Sequence, residues 1–323
     1  MNVQLTGSGT GQGFGSTVLS IPNNAALIGS TFFGRWYVTD ANAIGGVAVS
    51  PAFKFTIFGD SSATTMTANP IDSAQFFVTQ HYRDFLNREP DADGLAYWSD
   101  QIAGRIDNNP TPCANGDSNC LLQRRLGVSA AFFVENEFQV TGSYVYRLYT
   151  TTLGRQPSFT EFSGDRDLLI VGSALDQSKN AFANAWVQRS EFISKYGTNP
   201  SADTFVDAVL GTLKTYDGAD LTANRSAYIG ELQAGASRAQ VVREISEHAS
   251  VQAAEYNSAF VLMQYFGYLH RNPDANGYQF WLNVLNNRTP NNYRGMVCAF
   301  VTSAEYQLRF ATLISHTNAE CSQ

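Results

Sequence analysis

Two hydrophobic rhythms divide this chain. Up to residue 58, apolar residues come in short runs, Ser16 to Ile21, Thr31 to Val38 and Ala52 to Phe58, parted by Asn-Asn, Ala-Asn and Gly-Gly. Runs rich in Phe, Val, Ile, Tyr and Thr between turn formers predict strands. Three strands are too few for an independent sheet domain, so 1–58 is expected to be the end of a β-sandwich begun upstream. The Ser/Thr/Ala-rich stretch that follows predicts a linker over 59–70. From there the period becomes helical. Val78, Tyr82 and Phe85 fall on one face, Leu95, Trp98 and Ile102 on another, and Phe205, Val209 and Leu213 on a third.

The helical part repeats itself. Val78, Tyr82, Phe85, Leu86, Arg88, Pro90, Asp91, Gly94 and Trp98 recur with every spacing kept as Val261, Tyr265, Tyr268, Leu269, Arg271, Pro273, Asp274, Gly277 and Trp281. A partial copy gives Val145, Tyr149, Leu153, Arg155 and Pro157, but Ser158 replaces the Asp and Asp165 stands where Trp should be. The partial copy reads as decayed, whereas in the full unit Pro90 stops a first helix and Asp91 can cap a second. An aromatic ahead of a Glu-aromatic pair follows: Phe132 to Glu137-Phe138, Trp186 to Glu191-Phe192, Phe300 to Glu305-Tyr306. It predicts a third helix to cover the first two, and Thr302 with Glu305 fits a capping box. The expected fold is mainly α, with units of about three helices at 71–142, 143–200, 201–256 and 257–323 in a bundle-like array, after a small β-rich segment. Trp98 and Trp281, each in mid-stripe, are expected in the core.

Composition narrows the class. Of 323 residues 44% are hydrophobic, enough to bury a core. A net charge of -7 with scattered Lys and Arg argues against nucleic acid, and no apolar run is long enough for a membrane span. Residues 1–20 lack a secretory signal, yet lysine is scarce and the four cysteines form two locally spaced pairs. An exported piece of a longer multidomain chain reconciles these features, predicting disulfides Cys113–Cys120 and Cys298–Cys321 in an extracellular or cell-surface setting.

Gln80-His-Tyr-Arg-Asp-Phe-Leu-Asn-Arg-Glu-Pro-Asp-Ala-Asp-Gly-Leu-Ala-Tyr-Trp98 resembles the bacterial family known as domain of unknown function 4214. The likeness covers 76–138 and 259–310 well, and 143–196 only at Leu-Gly-Arg-Gln-Pro and the closing Ser-Glu-Phe. It implies a helical module of exported or surface-associated proteins, with no agreed activity. Ile21 to Trp36 is similar to the end of a β-rich domain of secreted bacterial proteins.

No sequence motif carries chemistry. H-E-x-x-H, G-x-S-x-G and P-loop patterns are absent, and no two of His81, His248, His270 and His316 sit at helical ligand spacing. No catalytic residue and no cofactor are expected. Glu89, Asp91, Asp93, Gly94 and Asp100 imitate an EF-hand loop, offering calcium as the sharper alternative. Pro90 and the weak later copy at Asn272, Asp274, Asn276 and Asn283 instead favour a capped helix corner. Arg88, Arg155 and Arg271 are expected to reach carbonyls at the end of the first helix, and Glu137, Glu191 and Glu305 to serve a helix start or buried network. The expected function is non-catalytic: a structural, adhesive or spacer protein with a protein or surface glycan as partner. The alternative is a carbohydrate-binding or carbohydrate-processing protein using exposed aromatics. Exposure of Trp36, Trp98, Trp186 and Trp281 separates the two.

Overall fold

The computed structural model describes residues 27–41, 43–50, 52–57, 68–105, 112–114, 117–134 and 136–322. The chain forms two compact units, 1–67 and 68–323.

In the first unit, β1 (Thr31–Gly34) pairs antiparallel with β4 (Phe53–Thr56), and β2 (Tyr37–Thr39) with β3 (Val47–Val49). The ladders are nested. The two ladders differ in register by one residue, Gly34 facing Phe53 in one and Tyr37 facing Val49 in the other. The run expected as one strand over 31–38 is therefore broken, and Val47–Val49 adds a strand the pattern did not single out. Gly45 and Gly46 both have positive φ and close the hairpin without a Cβ penalty. The described residues give a two-stranded ribbon rather than a sandwich, and its Phe33 and Tyr37 are exposed. The strand expected at Ser16 to Ile21 lies outside them.

In the second unit, helices follow one another from α1 (Ala74–His81) to α15 (Ala304–Gln307). The expected linker 59–70 lies partly outside the described residues, and its end is not a linker. Asn69 is buried, caps Pro70–Asp72, and donates from Nδ2 to the carbonyls of Gln307 (3.1 Å) and Leu313 (2.7 Å).

Three copies share one build. Each first helix, α1, α5 (Gly142–Leu148) or α12 (Ala249–Gln264), ends in a π-helical turn at Tyr82–Leu86, Tyr149–Leu153 or Tyr265–Leu269. A left-handed residue follows: Asn87, Gly154 or His270. After the proline come second helices α2 (Ala92–Ala103), α6 (Phe159–Arg166) and α13 (Ala275–Asn283), then third helices α3 (Ser118–Val134), α7 (Leu175–Trp186) and α14 (Tyr293–Val301). The Glu-aromatic pair opens a separate short helix, α4 (Asn136–Val140), α8 (Ser190–Tyr196) or α15, so each copy has a fourth element. Thr302 is not its cap. Ser303 is, accepting from the Tyr306 amide, while Thr302 Oγ1 donates to the Cys298 carbonyl.

Residues 201–256 contain α9 (Ala202–Asp217), α10 (Arg225–Gln233) and α11 (Arg238–Glu247), and α12 runs unbroken across 256–257. This stretch has no Arg-x-Pro corner, and Ser250 stands where Glu191 and Glu305 stand in their helices. The outer copies meet through equivalent residues, Phe85 against Tyr268 edge to face at 5.2 Å. Gly267 permits that approach, since a Cβ there would lie 2.6 Å from the Phe85 ring. Beside them His81 is buried, bonded to the Phe77 carbonyl and to Ser129 Oγ. Burial pushes its pKa down to about 4.

Candidate functional site

The signature residues assemble into one constellation, built three times. The π turn and the left-handed residue swing the chain so that the following arginine lies back over the tyrosine that opens the turn. Arg88 sits 4.8 Å from the Tyr82 ring centre, Arg155 5.0 Å from Tyr149, and Arg271 5.3 Å from Tyr265. Each guanidinium also forks onto the glutamate of the short fourth helix. Arg88 reaches Glu137 at 2.7 and 2.7 Å, Arg155 reaches Glu191 at 2.7 and 2.7 Å, and Arg271 reaches Glu305 at 2.6 and 3.0 Å. The expected contact with helix-end carbonyls is corrected by this geometry. The carbonyls reached are those of the next residue, Glu89, Gln156 and Asn272, and the main partner is a carboxylate.

The cap expected at Asp91 is present, and the other two corners have caps as well. Asp91 accepts from the Gly94 amide and Asp274 from the Gly277 amide, both at 2.8 Å, and Ser158 shares a capping box with Glu161. Gly94 has a second task, because a Cβ there would lie 2.3 Å from the Tyr82 hydroxyl; at Gly277 the distance to the Tyr265 hydroxyl is 2.4 Å. Pro90, Pro157 and Pro273 occupy the extended turn before each cap.

Three of the four acidic residues offered for calcium are engaged elsewhere. Glu89 pairs with Arg83, Asp91 caps α2 and touches Arg88, and Asp100 pairs with Arg105. Asp93 lies in the first turn of α2. Among the described residues no three His, Cys, Asp or Glu side chains are grouped to hold a metal ion. Cys113–Cys120 and Cys298–Cys321 are disulfides, with Cα separations of 5.7 Å each.

The tryptophans divide. Trp186 is fully buried and donates from Nε1 to Thr152 Oγ1 at 3.0 Å. Trp98 and Trp281, expected in the core, are only half-buried: each rests one side on the third-helix aromatic, Phe132 at 5.4 Å or Phe300 at 6.1 Å. Helix α2 lies at the surface, so its apolar stripe is covered from one side alone. Trp36, in the ribbon, is exposed. Next to Trp98, the exposed Tyr97 meets it edge to face at 5.0 Å, and Phe280 meets Trp281 likewise at 5.1 Å.

Tyr97 and Trp98 border a cleft of about 400 Å³ with Gln101 of α2, Gln123, Arg124, Gly127 and Val128 of α3, and Arg294 of α14. Sequence reasoning missed this site. Its walls come from two copies remote in sequence, and Tyr97 lies off the periodic stripe that drew notice to Trp98. It noted Asp165 only as a departure from Trp and missed Arg189, which pairs with it at 2.7 and 2.5 Å beside Tyr149.

Fold and corner together define a class: a helical repeat whose signature side chains bind one another. The family described as Domain of unknown function (DUF4214) matches residues 57–109 and 248–310, so both full copies of the motif carry that family's domain. The match does not extend over 143–196, where the sequence alone shows a partial likeness. Comparisons with curated proteins and with solved structures found no match.

Proposed function

We propose that this chain is a non-catalytic, exported surface protein whose helical repeats form a rigid interaction scaffold. One observation carries the reading: in all three corners arginine, glutamate and tyrosine are consumed by one another, so the most recurrent polar residues are spent on architecture. The two disulfides suit an oxidising setting, and no described helix is long and apolar enough to cross a membrane. A second reading, carbohydrate binding, draws on the half-exposed Trp98 and Trp281.

Surface labelling of intact producing cells, with binding of the purified chain to those cells, tests the proposal. A labelled chain that binds, and an Arg271→Ala variant that melts lower yet binds equally at low temperature, are the expected results. A chain found only inside the cell, or substrate turnover abolished by Arg271→Ala under folded conditions, overturns it.

A further inference from the structure

We propose that the cleft between α2, α3 and α14 binds a carboxylated sugar unit of an acidic polysaccharide. This rests on the interaction reading above and names the chemistry of the partner. Three features of the cleft converge. The first is the right-angled corner of Tyr97 and Trp98, whose rings are inclined at 81°. Trp98 is fixed from below by Phe132, so one wall of the corner is held in place. Flat rings held rigid beside polar groups suit the apolar C–H face of a pyranose.

The second feature is the amide pair. Gln101, one turn along α2 from Tyr97, has no side-chain partner among the described residues, and Gln123 faces it from α3. Amides donate and accept at once, as sugar hydroxyls require. The third is charge. In a chain of net charge -7, two guanidiniums and no carboxylate line this cleft. Arg294 is anchored through Nη2 on the Gln123 carbonyl (2.8 Å) and Oε1 (3.2 Å), and no ion pair engages it among the described residues. A planar guanidinium steadied at one nitrogen is well placed to receive a carboxylate. Gly127 keeps the floor open, since a Cβ there would come within 3.3 Å of Arg294 Nη1.

In the equivalent corner of the last copy, Arg288 lies 6.0 Å from the centre of the Phe280 ring, which stays exposed. Tyr97 has no counterpart of that guanidinium among the described cation–ring contacts.

Calorimetric titration of the intact, oxidised chain with oligogalacturonate, cellohexaose and heparin fragments decides the matter. Oligogalacturonate is expected to bind and cellohexaose to bind at least about tenfold more weakly, a gap of about 1.4 kcal/mol. Tyr97→Ala, on an exposed ring, is expected to weaken oligogalacturonate at least about tenfold with an unchanged melting curve. Arg294→Gln is expected to remove the preference over cellohexaose. No oligogalacturonate binding, equal binding of cellohexaose, stronger binding of heparin, or binding that survives in the Tyr97→Ala/Arg294→Gln double variant each overturns the proposal. Binding of the chain to whole cells is scored separately, so a failed cleft remains distinct from a failed interaction role.

Discussion

The corner at Arg88 and the corner at Arg155 perform the same turn with different parts. At Arg88, the Tyr82 hydroxyl rests over Gly94, and Phe132 of the third helix packs on both Trp98 and Tyr82. At Arg155, Asp165 stands in the Trp position and Tyr149 becomes the donor, at 2.7 Å. Arg189 locks the carboxylate, and Trp186 takes the place of Phe132. With the tyrosine hydroxyl committed to Asp165, the glycine position accepts a side chain, and Glu161 adds a second carboxylate to Arg155. The indole has moved from a half-buried position on a second helix to a fully buried one on a third. Tyr, Arg and Glu survive the exchange because they set the turn; Gly and Trp are a coupled pair that changes together. The outer copies keep their Trp half-exposed, which is why a cleft can form there.

The largest effect that can break this comparison is truncation of the indoles. Trp186→Ala is expected to cost about 3–5 kcal/mol, as for a fully buried aromatic, and Trp98→Ala about half as much. Urea unfolding measures both, and equal losses would mean that the two positions are not distinguished by burial. Next comes reduction. Both disulfides lie in copies that keep the Trp corner, and their loss is expected to cost about 3.5 kcal/mol for Cys298–Cys321 and about 2.5 for Cys113–Cys120 on loop-entropy grounds. Single-cysteine-pair variants to serine, melted side by side, give the two values.

The inner half answers to pH instead. Glu255 is buried on α12, and burial, with Asp217 beside it, pushes its pKa up to about 9. Tyr146 and Arg147 of α5, Tyr216 and Asp217 of α9, and Thr150 of the π turn surround this site. The folded state then holds a proton that the unfolded chain releases near 4.5, so stability declines as pH rises from about 4.5 through about 9. Glu255→Gln is expected to flatten that decline. A variant whose stability falls with pH as steeply as the parent would refute the assignment.

How much of this was legible beforehand follows the same division. The Arg-x-Pro-Asp spacing pointed to the corner and its cap, and the cysteines' own local spacing to both disulfides, because each depends on residues close in sequence. The Arg88–Glu137 fork did not show, since the two ends lie on separate elements, although the matched recurrence of Glu137, Glu191 and Glu305 was its visible trace. Burial of Trp98 was misjudged because a helical stripe fixes which face is apolar, not how many neighbours cover it. The π turns left no signal in hydrophobic period, and the cleft needed α14 beside α3, a contact between distant segments.

A smaller change sharpens the coupling of Gly and Trp. Gly94→Ala brings a methyl group against the Tyr82 hydroxyl and is expected to cost about 1–3 kcal/mol, as overpacking does. In a Tyr82→Phe background most of that cost should vanish, whereas additive losses would show that the glycine serves the backbone of α2 alone.

The smallest expected effect tests what the corners share. Arg155 makes four contacts to two carboxylates, Arg271 only two to one, and both side chains are a third or more exposed, so solvent screens them. A lysine keeps the charge and loses the fork and the flat face over tyrosine. Arg155→Lys should therefore cost about 1 kcal/mol and Arg271→Lys about 0.5 or less. Acid separates the two further. Burial raises the pKa of Glu161, but hydrogen bonds from Arg155 and Ser158 outweigh it and hold the carboxyl at about 2. A depressed carboxylate contributes stability above its unfolded value near 4.5 and loses it as pH falls toward 2. Arg155→Lys should shrink that acid-sensitive window, and Arg271→Lys should leave it as it is. If both variants trim the acid limb alike, the second carboxylate of the inner corner adds nothing, and the three corners are energetically one.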